Sequence, residues 1–262
     1  MKSKNRLILM SLLGVFGLSS VDSKSAIVAY YNFDAQDSAD NSGTGNNGTV
    51  AGATFSNTER PTALSGSTHS IFFDGTDDRV NIPHSTTLAF TGGIVSVSLW
   101  MKSTAGDTDA WLRPISKGTN PGFQIQRFQS STDGRLRVDT TTQNNQEGNI
   151  GVLWNATWHH VAFTLDNGVR TVWLNGVKTT NTYMGTNFAS TDQLVLGDTD
   201  GEPDRDFGGW LDDVAIWDHA ITDSDIAGLF AGTTSPLAVV PEVSSCALVT
   251  LGGLLLFRRR RA

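Results

Sequence analysis

The chain has 262 residues and a formal net charge of −7, which allows one large domain or two small ones. Residues 27–240 hold 24 acidic and 11 basic residues, a balance that argues against nucleic-acid binding because phosphates need basic patches. The only cysteine is Cys246, so the central region has no disulfide and must depend on its core or on a bound metal.

The N-terminus has the three-part layout of a secretory signal peptide. Lys2, Lys4 and Arg6 precede an apolar run over residues 7–18, and small residues follow. Residues 1–26 are therefore predicted to be a signal peptide that exports the protein; the alternative is a native N-terminal helix.

The central region has the pattern of many short strands. IVSVSLW (94–100) and HHVAFTLD (159–166) alternate between two sides, and the turn dipeptides Asn167-Gly168 and Asn175-Gly176 flank a further strand. The one helical stretch runs from a Thr222 N-cap to a stop at Gly232. These elements predict an all-β, two-sheet antiparallel sandwich or barrel.

Several motifs, in this order, resemble the bacterial laminin G-like, concanavalin A-like domain. They are YYNFD, DNSGTGNNGT, SIFFDGTDDRVNIP, VSVSLWMK, WHHVAFTLDNGVRTVWLNGV, GWLDDVAIW and AITDSDIAGL. The resemblance implies a jelly-roll sandwich of two curved sheets over residues 27–232, followed by a linker over 233–240. It does not specify a function, because such domains serve as lectins, adhesion modules, enzyme appendages and enzymes.

A calcium site is one hypothesis for this domain, since Ca²⁺ binds carboxylate, amide and backbone oxygens. In the resembling family the first and last strands are neighbours and share a structural calcium. Carried over, Asp40, Asn47 and Asp213 are the expected ligands, together with Asp34. The alternative that these side chains cap turns through hydrogen bonds stays open.

Two further motifs are interpreted as loops. The G-x-G-x-x-G pattern over residues 43–48 is not followed by a helix, which a dinucleotide site requires. The acidic stretch DTDGEPDRD over 198–206 has Pro203 where an EF-hand needs glycine. We interpret it as a solvated acidic loop, with a second cation site as the alternative.

The sequence offers little support for catalysis. The E-x-D-x-x-E pattern of glycosidases on similar sandwiches is absent, and the glutamates are far apart in sequence. His159 and His160 are adjacent on a strand and face opposite sides, and neither H-E-x-x-H nor G-x-S-x-G occurs. We predict that the protein is not an enzyme.

Three tryptophans are candidate ligand-binding residues. Trp100, Trp173 and Trp217 each lie on the side of a strand that small or polar neighbours occupy. On an open concave sheet they would form a stacking platform for sugar rings. The alternative is that the small neighbours make room for indoles inside a core.

The C-terminus resembles a PEP-CTERM sorting signal. Pro241-Glu242-Val243 stands where the family has Pro-Glu-Pro, a short apolar run follows, and the chain ends on Arg258, Arg259, Arg260, Arg261 and Ala262. The run is marginal as a lasting membrane span, and the arginines would stay in the cytoplasm. The resemblance implies that residues 241–262 hold the protein in the membrane until an exosortase-type membrane transpeptidase recognises them.

Together these observations predict an exported, non-catalytic binding or adhesion protein of the cell surface or extracellular matrix. Its expected partner is a polysaccharide or another matrix ligand. The alternatives are a purely structural extracellular protein without sugar affinity and a polysaccharide-active enzyme.

Overall fold

The computed structural model describes residues 27–104, 110–118, 121–128, 135–140, 149–181, 189–199 and 204–241. The predicted signal peptide lies outside these residues. So does the sorting signal from Glu242 onward, with its apolar run and the arginines at 258–261.

The described residues form strands, one α-helix and two short 3₁₀ turns. The strands are β1 Ile27–Tyr31, β2 Thr49–Ala51, β3 Thr54–Ser56, β4 Ser70–Asp74, β5 Arg79–Ile82, β6 Ile94–Ser103, β7 Ile115–Lys117, β8 Phe123–Arg127, β9 Arg135–Thr140, β10 Asn149–Val152, β11 His159–Asp166, β12 Val169–Leu174, β13 Val177–Asn181, β14 Leu194–Leu196 and β15 Gly208–Trp217. Helix α1 is Asp223–Phe230, and the 3₁₀ turns are Thr86–Leu88 and Pro236–Ala238.

The strands build two antiparallel sheets. The eight-stranded sheet has the order β13-β12-β11-β6-β15-β4-β3, with β1 pairing alongside β15. The seven-stranded sheet has the order β10-β9-β8-β7-β14-β5-β2. The predicted all-β, two-sheet antiparallel jelly-roll sandwich is confirmed.

The main core lies between the sheets and follows from the two-residue alternation of each strand. Val95, Val97 and Leu99 of β6 point inward, as their spacing predicted. They share one buried apolar cluster with Ile125 of β8 and Val138 of β9. Burying such residues from both sheets is the main favourable contribution to folding.

The predicted hairpin turns are present on either side of β12. Asn167 and Gly168 have φ of 45° and 90°, and Asn175 and Gly176 have φ of 50° and 75°. Two successive left-handed residues match the twist of the flanking strands, which is why asparagine and glycine occur there.

Helix α1 begins as the sequence predicts. Thr222 and Asp225 form a reciprocal capping box, and Gly232, with φ of 67°, follows the helix. Among the residues that the structure describes, no helix is both long enough and apolar enough to cross a membrane.

The stretch predicted as a linker packs against the domain instead. Ser235 caps the 3₁₀ turn Pro236–Ala238, and Pro236 and Val239 are buried. Val239 explains this difference, because it shares a buried apolar cluster with Ile27 and Tyr30 of β1. The domain therefore extends to Val239.

Candidate functional site

The three predicted platform tryptophans share the outer face of the eight-stranded sheet, but this face is covered. Trp100, Trp173 and Trp217 are only 6%, 3% and 0% exposed. A sugar can stack only on a ring face that it can reach, so their assignment as ligand-binding residues on an open sheet is wrong. The alternative that they belong to a core is confirmed.

Helix α1 provides the cover and creates a second apolar core. Trp217 belongs to the same buried cluster as Leu229 of α1, and the rings of Trp100 and Phe230 stack with centroids 5.8 Å apart. The capping box holds the start of this helix. The small residues beside the tryptophans thus admit indoles and a helix, not a ligand.

The two adjacent histidines point to opposite sides of β11, as predicted. His160 is buried beside Trp100 and bonds to Ser98 over 2.9 Å, and burial lowers its pKa to about 3. His159 bonds to Asn155 at the strand start. The pair therefore cannot bind one metal ion together.

Two of the four predicted calcium ligands are engaged in shaping a loop. Asp40 accepts hydrogen bonds from the backbone N–H groups of Tyr30, Ser42 and Asn46, and Asn47 Oδ1 accepts one from the backbone of Asp40. Burial raises the pKa of Asp40, but hydrogen bonds led by that of Ser42 outweigh it and hold the pKa below its usual range. Their geometry is that of the turn-capping alternative.

The other two predicted calcium ligands, Asp34 and Asp213, line a separate hollow. Tyr30 donates its backbone N–H to Asp40 and its hydroxyl to Asp213 Oδ1, over 2.5 Å, so Asp40 and Asp213 lie at opposite ends of one tyrosine. Asp34 and Asp213 line the same hollow, of about 360 Å³. The structure therefore brings Asp34 to Asp213 and leaves Asp40 and Asn47 apart from them.

A bulge in β15 positions the carboxylates of this hollow. The register of β15 shifts between Asp212 and Ala215, and Asp213 has a left-handed φ of 46°. Asp212 is fully buried and accepts a hydrogen bond from Ser67. Burial and then the neighbouring Asp213 raise the pKa of Asp212 to about 8, and burial raises that of Asp213 to about 6.

These residues fit a calcium ion in their chemistry. Asp34, Asp212 and Asp213 offer carboxylate oxygens, and Asp34 Oδ1 also accepts hydrogen bonds from the backbone of Thr68 and His69. After burial, Asp213 raises the pKa of Asp212, and Asp34 raises the pKa of Asp213. A divalent cation would favour the ionised forms and offset these increases. A bound Ca²⁺ would tie the bulge of β15 to the chain that follows β1.

A second acidic group was missed by the sequence analysis. Asp74 ends β4 and Asp77 and Asp78 follow it, and the carboxylate oxygens of the three lie within 4.8 Å of one another. Asp206 of the predicted acidic loop lines the same hollow as Gly75 and Thr76, which lie between these aspartates. Burial and then Asp198 raise the pKa of Asp206, and Asp77 contributes too. Positions 200–203 of that loop are outside the described residues.

Aromatic and basic side chains meet at one end of the seven-stranded sheet. We call Trp111, Phe128, Arg135, Arg137 and Arg205 the aromatic–arginine cluster. The two rings meet edge to face, with centroids 5.7 Å apart. The guanidinium carbons of Arg135 and Arg137 lie 5.3 and 5.5 Å from the Phe128 ring, and that of Arg205 lies 6.0 Å from Trp111.

The strand ends explain this meeting. The backbone N–H of Trp111, before β7, donates to the Arg127 carbonyl at the end of β8 over 3.1 Å. Phe128 then donates to Arg135, the first residue of β9, over 2.8 Å. Antiparallel pairing therefore brings the start of β7, the end of β8 and the start of β9 together.

Trp111 is held in an unusual conformation beside open space. Its φ is 70°, a left-handed value that is rare for a bulky side chain and costs about 1–3 kcal/mol. It borders a hollow of about 420 Å³ that Arg205, Asp204 and Asp206 also line. Unlike the tryptophans under α1, Trp111 is partly exposed, so its ring can meet a ligand.

The outer face of the seven-stranded sheet continues the cluster with polar side chains. Gln124 is opposite Asp139, and Gln126 is opposite Arg137. Arg137 pairs with Asp139 over 3.0 Å, and Gln126 donates to the same carboxylate. Gln124 Oε1 is buried and has no hydrogen-bond partner within the described chain, so this face holds unmet hydrogen-bonding capacity.

A weak signal for this cluster was present in the sequence. FQIQRF and RLRVD alternate apolar residues with glutamine, arginine and aspartate, which indicates strands with one polar face. Placing Trp111 beside Phe128 and Arg137 requires the strand register, which the sequence does not show.

Family comparison agrees with this architecture. The model of the concanavalin A-like lectin/glucanases superfamily matches residues 74–227. The chain belongs to this superfamily. A search of curated proteins found no match.

Solved structures of this superfamily's fold are similar to the chain at low identity. Domain 4 of AbnA, a GH43 extracellular arabinanase from Geobacillus stearothermophilus solved with arabinotriose, is 20% identical with a TM-score of 0.59; the match covers 79% of this chain and 98% of that one. The receptor-binding domain of botulinum neurotoxin C/D mosaic serotype is 14% identical with a TM-score of 0.59, over 79% of this chain and 51% of that one. The chain thus spans about half the length of the toxin binding domain. These likenesses show a shared fold.

Of the three glutamates in the domain, the structure describes Glu59. Glu59 bonds to Lys102 over 2.6 Å, and the domain's other two glutamates, Glu147 and Glu202, lie outside the described residues.

Proposed function

We propose that the protein is a non-catalytic glycan-binding module that binds its ligand at the aromatic–arginine cluster. The observation that carries this proposal is the partly exposed Trp111 ring beside a 420 Å³ hollow, with Phe128 at 5.7 Å. Aromatic faces bind the C–H surfaces of sugars, and guanidinium groups donate to sugar oxygens.

The structural neighbours support this proposal by analogy. The arabinanase domain was solved with arabinotriose, and a botulinum neurotoxin DC binding domain was solved with SialylT. Fold does not determine function, so the argument depends on the cluster itself. The alternatives remain a structural protein without sugar affinity and a polysaccharide-active enzyme.

A glycan array tests the proposal with the variants Trp111→Ala and Phe128→Ala. We expect each to reduce binding at least about tenfold, since losing an aromatic contact costs on the order of 1–3 kcal/mol. The matched control is Trp210→Ala, because Trp210 also lies near a ring and a cation: Phe72 at 4.8 Å and Lys102 at 5.0 Å. Circular dichroism checks that each variant is folded.

Three results would count against this assignment. A folded wild-type domain that binds no glycan would favour the structural alternative. Loss of binding in Trp210→Ala alone would move the site to the eight-stranded sheet. New reducing ends after incubation with matrix polysaccharide would favour the enzyme.

We propose that the signal peptide exports the protein and that the tail from Pro241 directs it to the surface through an exosortase-type transpeptidase. Support comes from the apolar run and terminal arginines of the sequence. Val239 is the last buried residue described, so deletion from Pro241 onward removes the proposed signal and spares the core. Fractionation should then show a changed location with an unchanged melting temperature, and identical distributions would contradict sorting.

We also propose a structural Ca²⁺ bound by Asp34 and Asp213, with Asp212 beside them. Support comes from the hollow that Asp34 and Asp213 share and from the raised pKa values of Asp212 and Asp213, which burial and then a neighbouring carboxylate cause. Adding Ca²⁺ to EDTA-treated protein should raise the melting temperature. A free Ca²⁺ concentration of one hundred times Kd should raise the free energy of unfolding by about 2.7 kcal/mol. Asp213→Asn should abolish the rise, and Asp78→Asn should preserve it. The reverse result would assign the ion to the Asp74, Asp77 and Asp78 group.

A further inference from the structure

We propose that the glycan bound beside Trp111 carries amino groups, as an N-deacetylated amino sugar does, and that these groups pair with Asp204 and Asp206. This inference rests on the proposed function and adds the chemical class of the ligand. It depends on three observations: carboxylates line the hollow beside the exposed ring, further carboxylates flank a residue of its lining, and the chain as a whole is acidic.

The aromatic and acidic side chains of this hollow are accessible to solvent. Trp111 and Asp206 are partly exposed and Asp204 is exposed, and all three line the hollow of about 420 Å³. Among the residues that the structure describes, no basic side chain forms an ion pair with either aspartate. Two accessible carboxylates therefore lie beside an accessible aromatic ring, where a ligand can reach both.

Arg205 is the basic residue among the described residues that line the hollow. Its guanidinium carbon lies 6.0 Å from the Trp111 ring, which shows that the ring accommodates a cation over its face. The described lining also contains Asp204 and Asp206, so it holds one more carboxylate than cation. A ligand that brings positive charge would balance this lining.

A second group of carboxylates makes the surroundings of the hollow more negative. Thr76 of the lining lies between Asp74 and Asp77 in the chain, and carboxylate oxygens of these two aspartates lie within 4.8 Å of each other. Burial and then Asp198 raise the pKa of Asp206, and Asp77 contributes too. A positive group in the hollow would offset this repulsion between carboxylates.

An ammonium group suits this lining better than the hydroxyl of a neutral sugar. Both groups can donate hydrogen bonds to a carboxylate, but the ammonium also brings the opposite charge. The face of a tryptophan ring attracts cations as well. An amino sugar can therefore place its C–H face on Trp111 while its ammonium groups approach Asp204 and Asp206. A neutral sugar makes the first contact and lacks the attraction between opposite charges.

The charge of the whole chain favours the same class of ligand. Its net charge is −7, so its average field attracts polycations and gives a neutral glycan no advantage. General attraction, however, would act on any cationic polymer and would depend little on a single carboxylate. The inference therefore requires Asp204 and Asp206 to contribute more to binding than an exposed aspartate elsewhere on the surface.

Isothermal titration with a cello-oligosaccharide, an N-acetylated chitin oligosaccharide and its N-deacetylated form tests the inference. The three share one backbone and differ in a hydroxyl, acetamide or amino group at one carbon. We expect wild type to bind the amino oligomer at least about tenfold more tightly than either neutral one. Asp204→Asn and Asp206→Asn should each reduce this preference and together abolish it. Asp37→Asn, at an exposed aspartate outside the lining, should retain it, and Trp111→Ala should weaken binding of all three oligomers.

The outcomes distinguish this inference from the proposed function. Equal affinity for the three oligomers, or a preference that persists in the folded double variant, would overturn the amino-sugar ligand. So would an equal loss in Asp37→Asn and Asp204→Asn, or binding of oligolysine as tight as that of the amino oligomer, since either result indicates general attraction of cations. If the glycan array still shows binding that depends on Trp111, the proposed function stands. If no glycan binds, both fail.

Discussion

Lys117 offers a direct test of the energetics of the sandwich, because it is a cation buried at the end of β7. The register pairs it with Phe123 and Leu194, both core residues. Its Nζ donates to the Asp192 carbonyl over 2.5 Å and lies 3.4 Å from His84 Nδ1. Burial lowers its pKa from 10.5 to about 8, and Asp192 offsets part of that decrease.

Proton linkage determines whether this lysine makes the stability of the protein rise or fall with pH. Between pH 8 and 10.5 the unfolded lysine holds a proton that the folded one has lost, so stability rises with pH across this window. The decrease in the Lys117 pKa from 10.5 to about 8 corresponds to about 3 kcal/mol in the free energy of unfolding, at about 1.4 kcal/mol per pKa unit. Below pH 8 the folded protein bears the whole penalty of a buried charge.

We predict that Lys117→Met removes this dependence. Methionine keeps the length and apolar stem but loses the hydrogen bond to Asp192, worth about 1.5–3 kcal/mol. The stability of the variant relative to wild type should therefore decrease by about 3 kcal/mol between pH 7 and pH 10.5. Urea unfolding followed by tryptophan fluorescence measures the difference at each pH, and Lys178→Met is the exposed control. A difference that stays constant with pH would refute the reasoning.

Three further predictions concern stability and can be checked by thermal unfolding. Gly52→Ala should destabilise by about 2 kcal/mol or more, because φ is 78° and the new Cβ would lie 1.9 Å from Asp78 Oδ1; an unchanged melting temperature would contradict this. Thr222→Ala should cost about 1 kcal/mol through loss of the α1 cap, whereas Thr222→Ser should not. Trp217→Ala should cost about 3–5 kcal/mol as a core truncation; a fully stable variant would contradict its burial.

The sequence predicted the parts of the fold that local pattern controls. The alternation of β6, the asparagine–glycine turns around β12 and the Thr222 cap of α1 all hold in the structure. It could not show that α1 packs over the outer face of the eight-stranded sheet. That contact depends on tertiary packing between residues far apart in sequence, such as Trp100 and Phe230.

The candidate site was harder to predict from the sequence, for the same reason. Asp40 and Asp213 were predicted together from neighbouring strands, but Tyr30 separates them. Spacing along a chain does not show which end of a strand pair a side chain occupies. Trp111 likewise meets Phe128 only because a backbone hydrogen bond joins its segment to the end of β8.

Burial decides which tryptophans can bind a ligand, and it separates the two sheets. Trp217 lies under α1 and is fully buried, so replacing it should destabilise the protein before any effect on binding is measurable. Trp111 is partly exposed and has a strained φ of 70°. Replacing it therefore removes contact area for a ligand without truncating a buried core. Alanine at these two positions should therefore produce opposite phenotypes: unfolding without a specific binding defect at 217, and a folded protein that no longer binds at 111.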